Sequence, residues 1–159
     1  MAGKKTGKNP TDRAKSGVKR SVLTDANGIP LSIAVSGANT HDMKMTRETL
    51  IGIQTKRPKP TKKKKQNMYL DKGYDFDEVR TLIKEFGYTE HIQKRGTDAQ
   101  KIKKSARKKA RRWVVERTHS WMNRFRGLLI RWSKKPENYI AMLHLVCALI
   151  TWRSTGLLR

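Results

Sequence analysis

The stretch MYLDKGYDFDEVRTLIKEFGYTEHIQ, residues 68–93, decides the fold. Met68, Tyr69 and Leu70 form a short apolar run that predicts a buried strand ending at Asp71, and Gly73 allows a tight turn immediately afterwards. The period then changes. Val79, Leu82, Ile83 and Phe86 recur at helical spacing and predict a helix over residues 76–86, with Gly87 placed to terminate it. Tyr88 to Gln93 predicts the next strand, so strand and helix alternate as in a small α/β domain.

Upstream, Val18, Val22 and Thr24 predict a strand over residues 18–24. Asp25 to Gly28 supplies turn chemistry before a second apolar run, Ile29 to Val35. The pair reads as a hairpin, with Pro30 tolerable at an edge or a strand entrance. Residues 1–17 carry no periodicity and read as a basic arm without a strand. After the hairpin, Thr40 or Asp42 is placed to cap a helix running to about Ile51. In residues 56–67, Pro58 and Pro60 precede Lys62, Lys63, Lys64 and Lys65, and both the prolines and like-charge repulsion predict a basic loop.

Downstream, residues 94–109 form a second basic segment, including Lys103, Lys104, Arg107, Lys108 and Lys109, opposed only by Asp98. Its composition predicts mobility until a partner binds. Val114, Trp121, Phe125, Leu128 and Leu129 predict one helix over residues 110–129. Pro136 suits the first turn of a last helix, whose segment Tyr139 to Trp152 is apolar nearly all round. Residues 18–159 are thus expected to make one domain, and no repeat of 20–50 residues suggests a solenoid.

Charge narrows the function. The 159 residues carry 37 Lys and Arg against 13 Asp and Glu, a net +24. A polyanion is the natural partner, bound in a salt-dependent manner. The single cysteine, Cys147, excludes an internal disulfide framework and a multi-cysteine zinc ribbon. The chain start lacks the apolar stretch of a secretion signal. Tyr139 to Ile150 contains His144 and falls short of the roughly 18 residues of a membrane span. A soluble, cytoplasmic protein without membrane contact is expected.

Two carboxylates stand out. Asp71, at the end of a buried strand and followed by a tight turn, suits a hard-metal ligand; the commoner use of such a position is a turn aspartate bonded to its own backbone. Glu116 lies in a strongly basic stretch. Arg112, His119 and Asn123 share its helix face, while Trp121 and Phe125 anchor the opposite one. An ordinary Arg112–Glu116 helix pair explains the same spacing equally well. If the two acids converge, they could help hold paired Mg²⁺ ions for phosphodiester chemistry. A third acid would be needed, and Asp25, Asp42 and Asp75 lack equivalent strand-end placement. His41, His91 and His119 are too scattered for zinc. Trp113, Trp132 and Trp152 neighbour apolar helical segments and are expected in the core, with base stacking the alternative. The lysine clusters are expected to contact phosphate.

In order along the chain, the motifs TGKNPTDRAK (6–15), GIPL (28–31), GANTHD (37–42), DKGYD (71–75) and RWVVERTH (112–119), continuing to Phe125 and Arg126, resemble the DDE transposases of bacterial insertion sequences. The likeness is to the group encoded in two reading frames, and it covers nearly the whole chain. It implies a ribonuclease H-like mixed sheet with flanking helices, and three acids binding Mg²⁺ or Mn²⁺ for strand cleavage and joining. Asp71 matches the second acid, Glu116 the third, and Arg112 the arginine that precedes the glutamate. The family often places a tyrosine before that arginine and a lysine after the glutamate; here the matching positions hold Lys109 and Asn123.

The first acid of such proteins lies on a central strand upstream of the Gly7 to Arg13 motif. Resemblance therefore implies a truncated fold lacking its first strand, with that strand supplied by frameshift fusion or by an upstream reading-frame product. It implies double-stranded DNA at transposon ends and target as partner, a homo-oligomer, and nucleoid association through DNA. The alternative is a catalytically inactive, nucleic-acid-binding transposase fragment. A ribosomal-RNA binder would explain the charge but not the ordered motifs.

Overall fold

The computed structural model describes residues 5–10, 13–92 and 112–156. The architecture is mixed α/β, with a three-stranded antiparallel sheet, a two-stranded parallel sheet and flanking helices. The chain divides into two compact units, residues 1–55 with 114–159, and residues 56–113.

In the first unit, β2 (Ser16–Thr24) and β3 (Pro30–Gly37) make the expected hairpin. Asp25 stabilises its turn: Oδ1 accepts from the backbone N–H of Asn27 and of Ile29, each at 2.8 Å. Pro30 stands at the entrance of β3, where the register shifts between Leu23 and Thr24. Such an irregularity tolerates a residue without an N–H. The N-terminal segment departs from the expected strandless arm, because β1 (Gly7–Lys8) pairs with Gly17 and Ser16 of β2. Gly7 permits that approach, since a Cβ there would overlap the Asn39 side chain at 1.9 Å.

The alternation of β2 assigns each face a layer. Ser21 accepts a hydrogen bond from Thr49 at 2.8 Å and Lys19 pairs with Asp42 at 3.3 Å, so this face carries α1 (Asp42–Ile51). The cap of α1 is neither Thr40 nor Asp42 but His41, whose Nδ1 accepts from the Met43 N–H at 3.3 Å. Asp42 lies inside the first turn, where its charge complements the helix dipole.

Val18, Val22 and Ile33 of the opposite face pack on a cluster of Val35, Met122, Leu128, Tyr139, Leu143, Val146 and Ile150. This core is built from α3 (Arg112–Asn123), α4 (Arg126–Leu129) and α5 (Pro136–Ser154). The single helix expected over residues 110–129 is broken at Phe125, which is extended. Val114, Thr118 and Met122 make a buried stripe that a continuous helix would carry on through Phe125 and Leu129. The break buries Leu128 instead and leaves Leu129 57 % exposed.

Helix α5 begins at Pro136 and buries Tyr139, Leu143, Val146 and Ile150, one seam of its apolar surface. Trp152 lies off that seam and is 48 % exposed; Trp113 and Trp132 are also exposed, against their expected place in the core. No described helix is long and apolar enough to cross a membrane.

In the second unit, residues 56–66 form neither helix nor strand, as their prolines and lysines predict, and then β4 (Asn67–Leu70) starts. A 3-10 turn (Lys72–Tyr74) leads into α2 (Asp77–Glu85), and β5 (Thr89–Ile92) returns parallel to β4. Val79, Leu82 and Ile83 of α2 are buried with Met68 of β4. Gly87 ends the connection at φ +76°, a left-handed conformation that glycine adopts without a Cβ penalty. The segment over residues 94–109, read as a basic arm, lies outside the described residues.

Candidate functional site

Asp71 follows β4 directly and caps the 3-10 turn, its Oδ1 accepting the Lys72 N–H at 2.7 Å. The turn closes through Tyr74 N–H to the Asp71 carbonyl at 2.9 Å and Asp75 N–H to the Lys72 carbonyl at 3.2 Å. Asp71 thus serves as the turn aspartate bonded to its own backbone that the sequence offered as one of its two readings.

The far end of this turn is tied down by residues that sequence reasoning did not single out. Arg80 on α2 donates to Asp75 Oδ1 at 2.6 Å and to Glu90 Oε1 on β5 at 3.3 Å. These three side chains are 16–20 % exposed. The Asp75 contact, followed by Glu90, holds the Arg80 guanidinium above its already high ordinary pKa against the opposing effect of burial. Asp75 is therefore committed to Arg80.

Glu116 lies in the first unit, on the exposed side of α3. The residues after it fasten the helix to the hairpin turn. The buried Thr118 hydroxyl donates to the Gly28 carbonyl at 2.6 Å, and the Arg117 guanidinium donates to the Asn27 carbonyl. Arg117 also lies over the Trp121 ring, 4.9 Å from its centroid. Sequence offers little signal for the two carbonyl contacts, since each joins residues 90 positions apart.

His119 and Asn123 continue the helix face inward. Asn123 Oδ1 accepts from Arg20 Nη2 on β2 at 2.8 Å. Burial, and then the nearby Arg20 charge, hold the His119 imidazole below its ordinary pKa. Arg20 is the organising cation here, and its place on the even-numbered face of β2 is the only sequence signal for it. Arg112 opens α3, but its side chain lies outside the described set.

Lys62, Lys63, Lys64 and Lys65 are all exposed. A local turn shapes their loop, with the Thr61 N–H donating to the Lys64 carbonyl at 3.1 Å and the Lys64 N–H donating to Thr61 Oγ1 at 3.0 Å. Lys103, Lys104, Arg107, Lys108 and Lys109 lie outside the described residues.

Asp71 and Glu116 belong to different units, each with its own local anchor. Among the described residues, no group of three or more His, Cys, Asp or Glu could hold a metal ion. The three further acids weighed from sequence have structural partners: Asp25 holds its turn, Asp42 pairs with Lys19 and Asp75 with Arg80.

Comparison with known proteins agrees with the ordered motifs. A family model described as the transposase DDE domain matches residues 2–151. A Burkholderia cepacia protein described as a transposase for insertion sequence element IS402 is 37% identical over 153 residues, covering 94% of this chain and 70% of that one. No solved structure matches the chain significantly.

Proposed function

The chain belongs to the DDE transposase family, and from that premise we propose that it binds duplex DNA at transposon ends and target. We assign it Asp71 and Glu116 as its contribution to a metal-dependent strand-cleaving and strand-joining site. The observation that carries this reading is the family match running through both acids, residues 2–151.

Carboxylate oxygens have the chemistry that Mg²⁺ or Mn²⁺ prefers. The described residues nevertheless gather no three-ligand group, so they do not by themselves fit the complete metal site, and no reaction step is derived through it. The proposal is that a further carboxylate joins them, from an upstream reading-frame product, a fusion or another subunit of a homo-oligomer. What this chain's residues do is clearer. The 3-10 turn presents Asp71 at a strand end, and Thr118 and Arg117 hold the helix that bears Glu116. Lys62 to Lys65 position phosphates, a sequence-independent role that leaves recognition of terminal repeats to other contacts.

The deciding experiment measures Mg²⁺- or Mn²⁺-dependent nicking of transposon-end DNA. The 159-residue chain is compared with the same chain carrying an upstream Asp-bearing segment, and with Asp71→Ala and Glu116→Ala variants of each. Activity in the extended form alone, abolished by either substitution, is the expected result. Undiminished cleavage by either variant would overturn the assignment of the acids.

The lack of a three-ligand group among the described residues also favours a second reading, a non-enzymatic DNA-binding transposase fragment. It requires inactivity of both forms, with salt-sensitive DNA binding retained after both acids are replaced.

A further inference from the structure

We propose that Tyr69 and His91 form a stacking platform for an unpaired DNA base, a binding site that rests on the DNA-binding reading above. The two residues are direct cross-strand partners in the parallel β4–β5 pair. Their rings lie 4.6 Å apart between centroids and 14° from parallel. Asn67, two residues before Tyr69 and so on the same face, accepts at its Oδ1 from the His91 Nε2–H at 2.9 Å. Backbone pairing, ring stacking and this hydrogen bond preset the arrangement before any ligand arrives.

The exposure of the pair points to a ligand. Met68, on the opposite face of the strand, is buried at 5 %, whereas Tyr69 is 52 % exposed and His91 is exposed as well. An exposed pair of flat rings matches the π-face of a nucleobase. A base-paired duplex shows proteins its base edges, and its base faces are covered by stacking, so the occupant is an unpaired base. Charge complementarity selects nucleic acid over an apolar partner: the exposed Lys62, Lys63, Lys64 and Lys65 run into the same strand, and Lys72 follows it. Asp71 lies two residues beyond Tyr69, within roughly 7 Å along an extended chain. A base held on the platform would thus keep a frayed or cut DNA end beside that acid.

A protein–DNA double-mutant cycle tests the site. The full chain is titrated with a duplex bearing a two-nucleotide 3′ overhang, and with the same duplex whose overhang is abasic. Stacking on aromatic side chains predicts a roughly 5- to 150-fold preference for the overhang with bases. That preference should collapse in Tyr69→Val and survive in Tyr69→Phe. Replacing Lys62 to Lys65 by alanine should weaken both duplexes alike and leave the ratio unchanged. Circular dichroism checks folding, and if Tyr69→Val is unfolded, His91→Gln provides the variant, with a reduced ratio expected. A wild-type ratio near one with clear duplex binding overturns the platform alone, as does a ratio unaffected by these changes. Failure to bind any of the DNAs would overturn the DNA-binding reading together with it.

Discussion

Substituting Gly28 should reveal how tightly the hairpin turn is fitted to the helix that bears Glu116. Gly28 sits at φ +83°, and a Cβ added to it would lie 3.1 Å from Arg117 Nη2 and 3.1 Å from Thr118 Oγ1. Gly28→Ala therefore meets two costs. The left-handed backbone costs an L-residue about 1–2 kcal/mol. Displacing the guanidinium and hydroxyl from the Asn27 and Gly28 carbonyls weakens hydrogen bonds worth about 0.5–1.5 kcal/mol each. A loss of roughly 2–5 kcal/mol follows from the two together.

The two costs separate in an Arg117→Ala background. The backbone cost is unchanged, but the guanidinium no longer obstructs the new methyl group. Gly28→Ala should then cost less by about 0.5–1.5 kcal/mol, a coupling typical of side chains in contact. Urea unfolding followed by tryptophan fluorescence supplies the four stabilities, with Trp121 reporting beside Arg117. Equal costs in the two backgrounds, within about 0.3 kcal/mol, would refute the close fit of turn to helix through Arg117.

Arg80→Gln should cost up to about 3 kcal/mol, because it removes the cation that Asp75 and Glu90 share and leaves Glu90 with Lys84 at 3.5 Å. Thermal denaturation of the variant beside the wild type measures the deficit. Wild-type stability should include a pH-dependent component from His119: its depressed folded pKa makes stability fall as pH drops through the ordinary histidine range, and His119→Gln should flatten that slope. Burial pushes the Cys147 thiol up to about 11, so alkylation by iodoacetamide at pH 8 should be slow in the folded protein and rise sharply in urea. Alanine at Lys62 to Lys65 should lower the slope of log K against log salt for duplex DNA by about 0.9 for each phosphate contact removed.

Elements whose cause is local were legible in the sequence. The strand at Met68 to Leu70, the helix after Asp75 and the stop at Gly87 follow from side-chain period and backbone freedom, and each stands within a residue or two of its expected place. The Asp25 turn was legible for the same reason. The break at Phe125 was not, because residues 110–129 are apolar at nearly helical spacing and only tertiary packing chooses Leu128 over Leu129. The His41 cap escaped notice because a ring nitrogen replaced the usual hydroxyl or carboxylate acceptor. At the candidate site, the acids could be named from motif and charge context. Their supports could not: Arg20 to Asn123 spans 103 positions, and no periodicity in either segment records the partner.

These supports fix the two family-matched acids separately, each within its own unit. Asp71 is fixed by a turn that Asp75, Arg80 and Glu90 bind to β5, all within the second unit. Glu116 is fixed by a helix that Thr118 and Arg117 bind to the hairpin turn, all within the first. Neither acid depends on the other for its local geometry. On this logic, Arg80→Gln and Gly28→Ala should each weaken the stability of their own unit. Glu116→Ala should leave its unit nearly as stable as before, whereas Asp71→Ala should cost its unit about 1 kcal/mol through the lost cap of the 3-10 turn.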